Sequence, residues 1–92
     1  MLLTMDAVAH QLAMPSKELR RQALQAFLRE QVRFCNVERL FLCQKYGVSS
    51  LQEMDDLVAQ GNVEEETILP DFQRVDFLTF KLRQLDELLA AT

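Results

Sequence analysis

From Ser16 to Tyr46 the chain runs 31 residues without a glycine or a proline, between Pro15 on one side and Gly47 on the other. An uninterrupted run of that length leaves no site for a tight turn, so it reads as one helix about 46 Å long. Ser16 opens it, and Gly47 is placed to close it as a left-handed C-terminal cap. Apolar residues fall on two adjacent seams of this helix. One carries Phe27, Phe34 and Phe41 at seven-residue spacing, with Leu24 and Val37 beside it. The other carries Leu28, Val32, Cys35, Leu42 and Tyr46. Two seams make a stripe too broad for one neighbour, so at least two helices should pack against it.

The rest of the chain supplies three shorter helices. Residues 4–13 read as a first helix, with Thr4 as N-cap, an apolar face of Met5, Val8, Ala9 and Leu12, and Pro15 as its stop. Ser50 and Glu53 have the spacing of a reciprocal capping box for a helix over 50–60, ended by Gly61. Residues 62–70 read as an acidic connecting loop containing Glu64, Glu65 and Glu66. The last helix is then expected over 71–91, preceded by Pro70 and with Asp71 at its positive end. Its apolar positions Val75, Leu78, Leu82, Leu85 and Leu89 alternate steps of three and four, a coiled-coil-like seam that must face another helix. Only two glycines and two prolines occur in 92 residues, too few for the turns of an all-β chain. The expected fold is all-α: a single domain over 1–92 in which the long and last helices form an antiparallel hairpin, dimerised into a bundle.

Dimerisation is expected from length. A last helix of about 31 Å leaves Leu19 to Ala26 of the long helix without a hairpin partner. A chain of this size also buries only about 60% of its unfolded surface, so a second copy is a common remedy. Charge points the same way. Residues 1–46 hold seven Lys or Arg against four Asp or Glu, a balance of +3, and residues 47–92 hold three against ten, a balance of −7. Opposite halves can face each other within a chain or across a dimer.

Chemistry is hard to place on this sequence. His10 is the only histidine, and no Ser or Cys stands within a helical turn of it to be activated. Cys35 and Cys43 are eight positions apart on one helix, about 12 Å, too far to bridge each other. They read as buried thiols, which with no basic leader at the N-terminus suggests a cytoplasmic protein. No run approaches the ~20 apolar residues of a membrane span. No phosphate-cradling glycine motif and no calcium-loop spacing is present, and adjacent pairs such as Asp55–Asp56 point to different helix azimuths. The expectation is a chain that catalyses nothing and uses no cofactor and no metal.

Two resemblances bear on partners. Residues 16–28, Ser-Lys-Glu-Leu-Arg-Arg-Gln-Ala-Leu-Gln-Ala-Phe-Leu, resemble the second helix of ribbon–helix–helix repressors. That resemblance implies a DNA-binding regulator using Arg20, Arg21, Arg29 and Arg33, although the fifteen preceding residues hold no basic alternating strand. A wider pattern resembles the small helical antitoxin-like proteins of bacteria and archaea encoded beside toxin-like genes. It consists of Pro15, Glu18, Leu19, Lys45, Tyr46, Gly47, Ser50, Leu51, Glu53, Gly61 and the Leu78–Leu89 seam. This one implies a protein that neutralises a partner protein by covering its surface. The leading expectation is therefore a homodimeric, antitoxin-like or regulatory module for protein–protein interaction, with a self-assembling adaptor and a DNA-binding regulator as alternatives. Its expected dimer or partner interface comprises Leu24, Phe27, Phe34, Phe41, Val75, Leu78, Leu82, Leu85 and Leu89. Glu64, Glu65, Glu66 and Asp71 are the expected electrostatic contact for a basic partner such as a toxin.

Overall fold

The structure, a computed structural model, describes residues 2–92. These residues form four helices in chain order: α1 over Met5–Gln11, α2 over Ser16–Gln44, α3 over Leu51–Ala59 and α4 over Glu65–Ala90. The all-α expectation holds, and α2 and α4 form the expected hairpin.

Local signals explain where the elements start and stop. The Thr4 side chain accepts a hydrogen bond from the Ala7 N–H at 3.1 Å, capping α1. Pro15 does not end α1, which stops four residues earlier; it stands at the N-cap of α2 instead. All three loops after α1, α2 and α3 close by the same paired bonds, six residues back to one and five back to two. Met14 and Ala13 donate to the carbonyls of Ala9 and His10, Val48 and Gly47 to those of Cys43 and Gln44, and Asn62 and Gly61 to those of Leu57 and Val58. Each such turn needs one residue at positive φ. Gly47 (+69°) and Gly61 (+72°) supply it without cost, whereas the third position is held by Ala13 at +54°.

The capping box of α3 forms only in half. Ser50 Oγ accepts from the Glu53 N–H at 3.1 Å, as expected. The Glu53 carboxylate passes Ser50 and instead takes the Ser49 N–H at 2.6 Å and the Ser49 hydroxyl at 2.8 Å. Both hydrogen bonds hold its carboxyl below the usual carboxylate range.

The larger correction concerns α4. It begins at Glu65, six residues before the expected start, and contains Pro70 in its second turn. Ile68 decides this. Its side chain is 1% exposed and packs with Cys43, Met54 and Val75, so helical winding back through Pro70 is what seats it. Pro70 itself faces solvent, where the carbonyl its ring deprives of a donor can be hydrated. The 26 residues of α4 nearly match the 29 of α2, but the two are staggered: the added residues of α4 run past the end of α2 and pack with α3. At the far end, Gln25 donates to the hydroxyl of Thr92, the last residue, at 3.3 Å, so α4 stops short of Leu19 to Leu24, and it is α1 that packs against α2 there, with Asp6 on Arg20.

The core consists of two clusters strung along the hairpin. Leu28 and Cys35 of α2 meet Leu78 and Leu85 of α4, with Val32, Leu42, Leu82 and Leu89 packed around them. Nearer the turn, Cys43, Met54, Ile68 and Val75 form the second cluster, with Tyr46, Val48, Leu51, Val58, Val63 and Phe72 about it. There α3 lies across one face of the hairpin. The molecule is long and thin: its extents are 60 × 28 × 16 Å and its radius of gyration is 19.2 Å. A compact chain of this length would have a radius of about 12 Å.

Candidate functional site

The nine residues expected at an interface separate into two groups. Val75, Leu78 and Leu85 are buried at 6% exposure or less, and Leu82 and Leu89 pack half-buried against them. The leucine seam of α4 is therefore consumed inside the chain, against the second seam of α2. The phenylalanine seam has no such partner. Phe27, Phe34 and Phe41 are 59%, 54% and 69% exposed, and Leu24 beside them is 51% exposed.

An explicit geometric reason keeps these rings outside. At 100° per residue, Phe34 lies 120° around α2 from Tyr46 and 180° from Cys43, both of which face α3 and the hairpin core. Phe27 and Phe41 follow Phe34 within about 20° of azimuth. They therefore occupy the face of the hairpin that α3 does not cover.

The same face continues onto α4 through a bidentate ion pair. Glu38, one helical turn from Phe34 and from Phe41, accepts from Arg74 Nε at 2.5 Å and Nη2 at 2.8 Å. Hydrogen bonding to Arg74 holds the Glu38 carboxyl below its usual range. The Arg74 guanidinium in turn lies 5.2 Å from the centroid of the Phe77 ring, and Lys81 Nζ lies 6.0 Å from it. On α2, Arg33 is bonded to Glu30 and stacks 4.6 Å over Phe34. Phe77 and Leu88 share one α4 stripe and are each about half exposed. The result is an aromatic face on which every flanking guanidinium is already held by a carboxylate. Taking ~200 Å² for a whole ring, its four phenylalanines present roughly 450 Å², and Leu88 brings this to about 550 Å². Patches of that size on a single chain mark interaction sites.

The acidic residues also divide. Glu64 stands at the N-cap of α4, and Glu65 and Glu66 lie in its first turn, so this acidic run is helix-terminal rather than a free loop. All three are exposed, at the end of the helix whose dipole favours them. Asp71 is drawn inward. Its carboxylate accepts from Lys45 Nζ at 2.8 Å and from the Tyr46 hydroxyl at 2.5 Å, tying α4 to the end of α2. These bonds hold the Asp71 carboxyl below its usual range and raise Lys45 and Tyr46 above theirs. Sequence reading separated Asp71 from Tyr46 because the partnership spans 25 positions and depends on the hairpin register.

Three of the four arginines named for the DNA-binding reading are engaged, and Arg29 is exposed. Arg20 pairs with Asp6 at 3.3 Å, Arg21 with Glu18, and Arg33 with Glu30. Glu18, hydrogen-bonded chiefly by Arg21, has its pKa lowered to about 2. An open notch of about 620 Å³ lies beside this segment, lined by Pro15, Lys17, Leu24 and Thr92 among others. Cys35 and Cys43 are free and buried in separate clusters, and burial pushes the Cys43 thiol up. Among the described residues, no three His, Cys, Asp or Glu side chains gather as a group that could hold a metal ion. Among the described residues, no helix is long and apolar enough to cross a membrane.

No curated protein and no solved structure matches this sequence. A family match covers residues 1–91, nearly the whole chain and all four helices. The chain belongs to the Uncharacterized protein MJ0235 family.

Proposed function

We propose that this chain is a protein-binding helical module whose working surface is the aromatic face of the α2–α4 hairpin. One observation carries the reading: Phe27, Phe34, Phe41 and Phe77 stand together on one uncovered face while the leucine seam satisfies the fold. Leaving about 550 Å² of apolar surface in water has no folding rationale, since burying it would stabilise the chain by roughly 25 cal/mol per Å². The Glu30–Arg33 pair fits the polar rim of an interface, and Glu38–Arg74, between the α2 rings and Phe77, is a paired charge inside it. The antitoxin-like role implied by the sequence resemblance is one form of the same activity: covering a partner's surface, with Glu64, Glu65 and Glu66 meeting its basic groups.

The test is capture with the tagged chain, run beside a variant carrying Phe34→Asp and Phe41→Asp. A polypeptide, whether another protein or an untagged copy, should be retained by the unaltered chain and lost with the variant. Retention of nothing, or equal retention by both, would remove the aromatic face from any such role.

A further inference from the structure

We infer that the occupant of the aromatic face is a second copy of this chain, laid antiparallel about a two-fold axis that passes beside Phe34. This rests on the interaction reading above and names the partner for the same surface.

Three observations select that occupant. The first is area. A standard interface takes about 800 Å² from each partner, a little over half of it apolar, and the face offers roughly 550 Å² of apolar surface before its rim is included. A copy of this chain brings the same amount, so the match needs no second kind of surface. The second is charge. The face carries Glu30 and Glu38 among Arg33, Arg74 and Lys81, with both carboxylates bonded to arginines on the same chain. Two such faces do not repel each other, whereas a strongly acidic or basic partner would find no opposing field.

The third is shape, and it fixes the orientation. Arg20 stands one heptad before Phe27, so positions 20, 27, 34 and 41 belong to one slowly drifting stripe. Arg20 bonds Asp6 of α1 at 3.3 Å, and Ala9 of α1 is 1% exposed. Hence α1 lies on the same face as the rings, at its Ser16–Ala23 end, and stands out from it as a step. In a parallel pair the two steps would meet each other and hold the rings apart by a helix diameter of about 10 Å. In an antiparallel pair centred on Phe34, positions 16–23 of one copy come level with 45–52 of the other. Helix α2 has already ended there, at Gln44, and α3 lies on the opposite face. Each step then clears its neighbour and the rings touch, Phe34 on Phe34 and Phe27 on Phe41. An isologous contact of this kind closes on itself and does not propagate.

The test uses single cysteines in the full chain under mild oxidation. Phe34→Cys alone should give a band of two chains, lost on reduction. Phe27→Cys alone and Phe41→Cys alone should give little, and a mixture of the two should give the two-chain band at several-fold higher yield. The unaltered protein controls for the buried Cys35 and Cys43, and an unchanged helical spectrum checks folding. A strong band from Phe27→Cys alone would mean a parallel pair and overturn the arrangement. Absence of any band, with a one-chain mass for the unaltered protein, would exclude the second copy. Capture of a different protein that still depends on Phe34 would then leave the interaction reading standing without this inference.

Discussion

Ala13 and Asp71 show how much individual side chains are asked to do in a chain with so small a core. Ala13 holds a left-handed turn that the other two loops assign to glycine, and that conformation costs an L residue about 1–2 kcal/mol. Ala13→Gly should therefore strengthen the docking of α1, offset in part by the freedom glycine gains in the unfolded chain. A net gain of about 1 kcal/mol, read as slower amide exchange at Val8 and Ala9, is the expected result. At Asp71 the consequence is a pH dependence. Its lowered pKa contributes stability that is present above the ordinary carboxylate range, from about pH 4 upward, and is lost as pH falls through the folded value. Lys45 and Tyr46 have raised values, so their contributions are present below about pH 10 and are lost as pH rises through the folded values. Tyr46→Phe should cost about 1 kcal/mol near neutrality and flatten both limbs of a stability–pH curve followed by urea unfolding. An unchanged acid limb would mean that Asp71 is held by Lys45 alone.

Helix α4 is where sequence reasoning and structure part, and the reason is a competition between a local rule and a packing demand. A proline in a helix interior costs about 3 kcal/mol, which argues for starting the helix after Pro70. Ile68, however, continues the spacing of Phe72 and Val75 backward, and its burial among Cys43 and Met54 outweighs the lost hydrogen bond. That backward continuation was the readable sign of the true start. Pro70→Ala restores the donor for the Glu66 carbonyl on an exposed turn, and should stabilise the chain by about 1–2 kcal/mol after the entropic advantage of proline is subtracted. Met54→Ala should do the opposite. Its side chain is wholly buried between α3 and the hairpin, so a loss of about 3 kcal/mol in thermal or urea unfolding is expected. Phe80→Ala, on the outer side of α4, should shift stability by less than about 0.5 kcal/mol. The start at Ser50, the closure at Gly47 and the leucine seam were all legible, because caps and heptads act within a few residues. The assignment of the two α2 seams was not, since Phe27–Phe34–Phe41 and Leu28–Cys35–Leu42 obey the same spacing. Only the position of α4, fixed by Glu38–Arg74 and Lys45–Asp71, decides between them.

Taken whole, the molecule is a thin hairpin with its fold on one side and its aromatic rings on the other. Its radius of gyration of 19.2 Å, against about 12 Å for a compact chain, follows from that construction. The most direct measurement is light scattering behind size exclusion, from about 1 to 100 µM, on the unaltered chain and on Phe34→Asp. A mass of two chains for the first and one chain for the second, with equal helical content, is the predicted result. A one-chain mass for both at every concentration would contradict the two-fold pairing, and a two-chain mass for both would show that the copies meet on some other surface.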